Sequence, residues 1–276
     1  MERVPCWKRL PATVALVLAV LLVAAPSFAA AKQYALGLGV DFASGDYGTD
    51  TTTRSVRVPL TVDYFATDRL DFELIVPYLY QNNSNTVFAG GMRFPTNRGG
   101  GGGGGMMQSG VNASSSQSGL GDTSLTAGYL LQKESASLPA VRPLLYLKFP
   151  SGDKDKGLGT GEFDLGAGIG ASKWFGPWYT LAEGRYIFQG SNSDLGLKDY
   201  TTLEGEAGYR VTRRFLPSLD LWYSTAPSDA ASDQVEARVK GKYWVADDVR
   251  LDGYLGKGLS SQAADYEAGV AVFYSF

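Results

Sequence analysis

The chain has 276 residues, a formal charge of −3, one cysteine and no histidine. Removing residues 1–29 takes away three cations (Arg3, Lys8, Arg9) and one anion (Glu2), leaving −5, so no nucleic-acid partner is expected. Without histidine, and with Cys6 as the only thiol, the usual general bases, nucleophile pairs and transition-metal ligands are missing; no enzyme, metal site or cofactor is expected.

The chain opens on Met1-Glu2-Arg3 with Lys8 and Arg9 following, then runs apolar from Val14 to Ala25 and reaches the small-residue segment Ser27-Phe28-Ala29-Ala30-Ala31. That order is the pattern of a secretory signal peptide, cleaved after Ala29 or Ala31. The apolar run is shorter than the roughly 20 residues a membrane-spanning helix needs. Cys6 precedes it, so no lipobox cysteine is available and residues 30–276 carry no thiol.

From residue 34 onward, apolar and polar residues alternate with period two, the mark of half-exposed strands. Tyr34, Leu36, Leu38, Val40 and Phe42 form the first series, and Val56, Val58, Leu60, Val62 and Tyr64 the second. The tight link Thr67-Asp68-Arg69 leads into Leu70, Phe72, Leu74, Val76, Tyr78 and Tyr80, which predicts a hairpin. Further segments fall at 119–133, 141–150, 161–175, 178–189, 200–212, 217–226, 234–245, 249–258 and 266–276, giving twelve strands. Short links at 67–69, 134–140, 176–177, 213–216 and 246–248 alternate with longer Ser, Asp, Asn and Gly-rich links at 44–53, 82–118, 151–160, 190–199, 227–233 and 259–265.

No segment after residue 31 is apolar for long enough to make a membrane helix, and only a closed barrel satisfies the backbone of strands in lipid. The expected fold is therefore all-β: a transmembrane antiparallel up-and-down β-barrel of about 12 strands, occupying 30–276 as a single domain in the outer membrane of a Gram-negative cell. An even strand count leaves both termini on the periplasmic side, and the alternation ending at Phe276 resembles the terminal strand signal read by outer-membrane assembly machinery. A secreted soluble barrel with its faces reversed is the competing reading of the same alternation.

If the apolar face meets lipid, the polar face lines the interior. It carries Arg57, Asp63, Asp71 and Glu73 on the second and third strands, and Arg142 and Lys148 on the fifth. Glu183, Arg185, Glu204, Glu206 and Arg210 follow, then the row Glu236, Arg238, Lys240 and Lys242, and finally Arg250, Asp252 and Glu267. Such charges either line a hydrated passage or pair across strands and fill the lumen. The cations on alternate residues 238, 240 and 242 would favour anionic groups if unpaired.

The segment 82–118, with its glycine run Gly99 to Gly105, is far longer than ordinary connections and is a candidate gate or a disordered outer loop. If residues 66 and 70 flank the short turn as a pair, Pro59 sits opposite Pro77, with both facing the lumen. Proline donates no ladder hydrogen bond, so a wall distortion is expected there, as a tolerated bulge or a lateral opening.

Gly119-Leu120-Gly121-Asp122, Leu147-Lys148-Phe149-Pro150-Ser151-Gly152-Asp153, Gly157-Leu158-Gly159-Thr160-Gly161 and Phe163-Asp164-Leu165-Gly166 together resemble an outer-membrane β-barrel family named for a MetA pathway of phenol degradation, or transporter. The resemblance covers about 58 residues closely and the rest only in strand pattern. It implies a barrel admitting small, often aromatic or hydrophobic compounds, and supplies no catalytic residues. The expected function is passive passage of small-molecule solutes across the outer membrane. The alternative is a non-conducting barrel with a salt-bridged lumen, acting as a surface scaffold or adhesion platform.

Overall fold

The computed structural model describes residues 32–96 and 115–276; the segment 1–29, expected to be a signal peptide, and the run Gly99 to Gly105 lie outside the described residues. The alternating segments form β1 (Tyr34–Gly45), β2 (Thr53–Phe65), β3 (Leu70–Gln81), β4 (Thr86–Ala89), β5 (Met92–Pro95), β6 (Gln117–Leu120), β7 (Thr123–Tyr129) and β8 (Ala140–Phe149). They continue as β9 (Asp164–Phe175), β10 (Trp178–Phe188), β11 (Tyr200–Tyr209), β12 (Phe215–Ser224), β13 (Gln234–Trp244), β14 (Val249–Gly258) and β15 (Tyr266–Ser275). No helix among the described residues is long and apolar enough to cross a membrane.

Each wall strand is antiparallel to its neighbours, and β1 pairs with β15, so the sheet closes on itself. β6 and β7 lie end to end beside β3, so the 13 sheet members make a 12-strand barrel, while β4 and β5 pair only with each other. Closure leaves no open edge for the wall to expose to lipid. At the seam, the Gln33 and Tyr34 amides donate to the Phe276 carbonyl at 3.0 and 3.1 Å, and the Phe276 amide donates to Tyr34 O at 2.9 Å. Tyr34 stacks on Phe276 across this seam at 5.8 Å, and the row continues over β2 and β3 through Tyr34 with Tyr64 at 4.9 Å and Tyr64 with Phe72 at 6.2 Å.

The outer face carries the apolar half of each alternation. Leu255, Leu219 and Leu145 are 69%, 65% and 61% exposed. An apolar belt of this extent around a whole molecule belongs in hydrocarbon, and aromatic rings flank it as interfacial anchors. The short turns share one end with both termini, the periplasmic end by the usual asymmetry, and the long loops share the other.

Pro59 stands opposite Pro77 in a β2–β3 register that runs unbroken from Ser55↔Gln81 to Phe65↔Asp71. The far flank of each proline is thinner. The β1–β2 ladder lacks the pairs between Leu38↔Leu60 and Asp41↔Arg57, without a change of register. β3 passes from Ile75↔Ser124 to Tyr78↔Leu120, three steps against four, which is a one-residue bulge on the β6–β7 side.

Two expectations need correction. The wall strand expected over 119–133 starts at Gln117, breaks at Gly121 and Asp122, and ends at Tyr129. The break occurs because the Asp122 carboxylate accepts from the Gly152 amide (3.0 Å) and the Thr160 amide (3.0 Å) in a neighbouring loop, which draws that residue out of the ladder. Nor is 82–118 wholly an outer loop, since residues 86–95 fold into the hairpin β4–β5.

Candidate passage through the barrel

The hairpin turns at Gly90 and Gly91, whose φ of +58° and +87° are what a two-residue hairpin loop demands and glycine supplies. All eight residues of β4 and β5 are buried. Val87, Ala89 and Phe94 pack on Leu195 of the 189–199 loop, Met92 on Tyr146, Ile187 and Tyr200, and Phe88 on Leu79 and Leu158. These contacts reach β3, β8, β10, β11 and two outer loops, so the hairpin bridges the outer mouth. Arg93 fastens it to the wall, its guanidinium donating to Ser55 Oγ at 3.1 Å and to Gln81 Oε1, while Gln234 Nε2 donates to the Arg93 carbonyl at 2.6 Å.

Below the hairpin the wall charges pair. Arg57 lies 2.7 Å from Asp41, Arg185 2.6 Å from Glu183 and Arg250 2.8 Å from Asp252; Arg142 pairs with Asp71 across the wall. Arg238 is held by Glu236 and Glu267, with Asp220 at 3.8 Å. Lys240 reaches Glu204 at 2.8 Å, Asp220 at 2.9 Å and Glu206 at 3.6 Å, and Lys242 lies 4.0 Å from Glu206. The row 238, 240 and 242 is therefore not an unpaired anion ladder: five carboxylates (Glu204, Glu206, Asp220, Glu236, Glu267) surround its three cations. Glu73 faces the interior on β3 and makes no ion pair among the described residues.

Two residues expected on the lumen wall stand at the ends of the barrel, one sealed and one exposed. Lys148 is fully buried at the outer end of β8, its ammonium 2.8 Å from Asp164 Oδ2, 3.2 Å from Asp122 Oδ2 and 2.5 Å from Thr160 Oγ1. It pins the loop between β8 and β9 rather than facing a passage. Gly159 lies so close to the Asp122 carboxylate that any Cβ there would displace it, which explains glycine at that point of the motif. Arg210 follows β11 at the periplasmic rim, exposed, its guanidinium 3.8 Å from the centre of the Trp174 ring.

Space remains around these groups. A cavity of about 180 Å³ lies under the hairpin, bounded by Asp41, Arg57, Lys240 and Tyr254. The same four residues cap a second cavity of about 310 Å³ toward the periplasm, walled also by Gly37, Gly39, Pro59, Glu73, Ile75 and Phe273. A third, of about 140 Å³, lies between Arg185, Tyr200 and Trp222. The Asp41–Arg57 pair, with Tyr254 Oη donating to Asp41 at 3.3 Å, is thus the layer between the outer and inner spaces.

Sequence reasoning missed Tyr47, Met92 and Arg93, all of which meet the first cavity. A signal existed for the last two: Gly90-Gly91 between Thr86-Val87-Phe88-Ala89 and Met92-Arg93-Phe94 is a two-residue turn between short apolar runs. For Tyr47 the sequence offers only an aromatic between Asp46 and Gly48 in a polar loop.

A family model described as "Putative MetA-pathway of phenol degradation" matches residues 52–276. Among solved structures the chain is similar to an outer-membrane channel from Pseudomonas putida F1, at 18% identity over 92% of this chain and 100% of that one, with a TM-score of 0.65. It is also similar to the KdgM porin, at 11% identity over 88% of this chain and 99% of that one, with a TM-score of 0.51. At these identities the likeness is one of fold. No curated relative matches the chain.

Proposed function

The chain belongs to the family described as "Putative MetA-pathway of phenol degradation", and from that membership we propose that it is a non-enzymatic outer-membrane channel for passive passage of small molecules, aromatic or hydrophobic compounds among them. The observation that carries this reading is the arrangement of the lumen. Its outer mouth is bridged by a ten-residue insert, residues 86–95, rather than filled by wall side chains, and cavities of about 180 and 310 Å³ lie in series beneath it. A solute of one-ring size fits such spaces, and the paired charges along them set selectivity.

The proposal includes export by residues 1–29, delivery to the assembly machinery through Phe276, and the wall distortion at Pro59 and Pro77 as a static bulge. A second reading, a closed surface scaffold, draws support from the ion pairs that neutralise the charges along the lumen wall. Liposome swelling separates the two: vesicles containing the purified protein should admit one-ring solutes and exclude oligosaccharides, whereas vesicles that swell no faster than protein-free ones would leave the scaffold.

A further inference from the structure

Two buried residues that line the 180 Å³ cavity carry polar groups without a matching partner among the described residues. Tyr47, in the outer loop between β1 and β2, is 3% exposed, and among the described residues its Oη makes no hydrogen bond. Its φ is +50°, a left-handed conformation that a bulky side chain adopts only when its surroundings hold it there. Arg93 is 5% exposed, and the partners of its guanidinium are the neutral oxygens of Ser55, Gln81 and Thr86. Among the described residues no carboxylate pairs with it. The other cations on this cavity differ in that respect: Arg57 has Asp41, Arg238 has Glu236 and Glu267, and Lys240 has Glu204.

A buried cation without a counter-charge is costly, and a ligand that brings an anion relieves the cost. Burial pushes the Tyr47 phenol up to about 12 and draws Arg93 down to about 10, so at neutral pH the first keeps its proton to donate and the second keeps its charge. The rest of the cavity is suited to a ring. Phe88 lies beneath Arg93 at 5.3 Å and Arg57 at 5.8 Å, with Met92 and Ala264 beside it. The volume exceeds the roughly 150 Å³ that suffices for a benzene ring.

We propose that this cavity is a binding station for a small one-ring carboxylate, whose oxygens are received by Tyr47 Oη and the Arg93 guanidinium and whose ring packs on Phe88 and Met92. This deepens the passage reading and rests on it for the solute's route to the cavity. A neutral ring lacks the anion and an aliphatic acid lacks the ring, so neither fills both halves of the site.

The test is calorimetric titration of the full purified protein in detergent with benzoate, with toluene and acetate as comparisons. Saturable benzoate binding is expected, weaker by about tenfold for acetate and for toluene, and weaker by about tenfold in Tyr47→Phe, which keeps the ring and loses the donor. Arg93→Lys, which keeps the charge, should bind more tightly than Arg93→Gln. Absence of saturable binding, equal affinity in Tyr47→Phe, or toluene binding as tightly as benzoate would each overturn the station. Swelling that proceeds without benzoate binding overturns the station and leaves passage standing; benzoate binding by a protein that supports no swelling does the reverse.

Discussion

Lys148, Asp122 and Asp164 come from three separated stretches of the family motif, and their side chains are 1% exposed or less where they meet. Removing the one cation from such a cluster leaves two buried carboxylates without their counter-charge. Lys148→Ala should therefore destabilise the barrel by about 3–5 kcal/mol, read as a lower urea midpoint for unfolding from detergent or vesicles. An unchanged midpoint would mean that the triad is not a staple. The residues were recognisable in the sequence as motif text, but their role was not, because nothing in a period-two pattern says that an inward lysine is sealed beneath a loop. Arg210 keeps its inward parity but stands at the rim, where it stacks on Trp174, and alternation does not report height along the barrel.

At the level of elements, β13 shows most clearly what charge pattern alone conceals. Arg238, Lys240 and Lys242 look like an anion ladder in isolation, and the register set by β11, β12 and β15 surrounds them with five carboxylates. An over-compensated cation row favours cations. Current through the barrel in a KCl gradient should thus reverse at a potential showing cation preference, and Lys240→Gln should increase that preference, whereas Glu206→Gln should reduce it. A shift in the opposite direction for either variant would show that the row, and not its acids, governs permeation. The wall strands themselves were legible because one buried and one lipid-facing side impose strict alternation, and the Pro59–Pro77 pairing followed from one short turn. The hairpin β4–β5 was obscured because its strands have four residues each and are buried on both sides, so no alternation marks them. The bulge opposite Pro77 was only half legible: proline announces a missing donor, but which neighbouring strand absorbs the extra residue depends on where Asp122 is drawn.

For the molecule as a whole, closure of β1 on β15 makes a tube whose outside is apolar, and the even strand number puts both chain ends beside the short turns. That much follows from alternation, turn length and the demand that backbone groups in lipid find partners. What a tube of this width does depends on what stands inside it. Here the outer mouth is bridged by residues 86–95, held by apolar contacts on three sides and by Arg93, while the wall charges below leave two spaces on the β1–β3 and β13–β15 side, divided by the Asp41–Arg57 layer. On the proposed function, the hairpin should be the main resistance to passage. Single-channel recording in planar bilayers, comparing the intact protein with one in which residues 86–95 are replaced by a short Gly-Ser linker, tests this most directly. Discrete ohmic steps that grow several-fold on removal of the hairpin are expected; silence from both proteins, or steps of equal size, would contradict a hairpin-restricted channel.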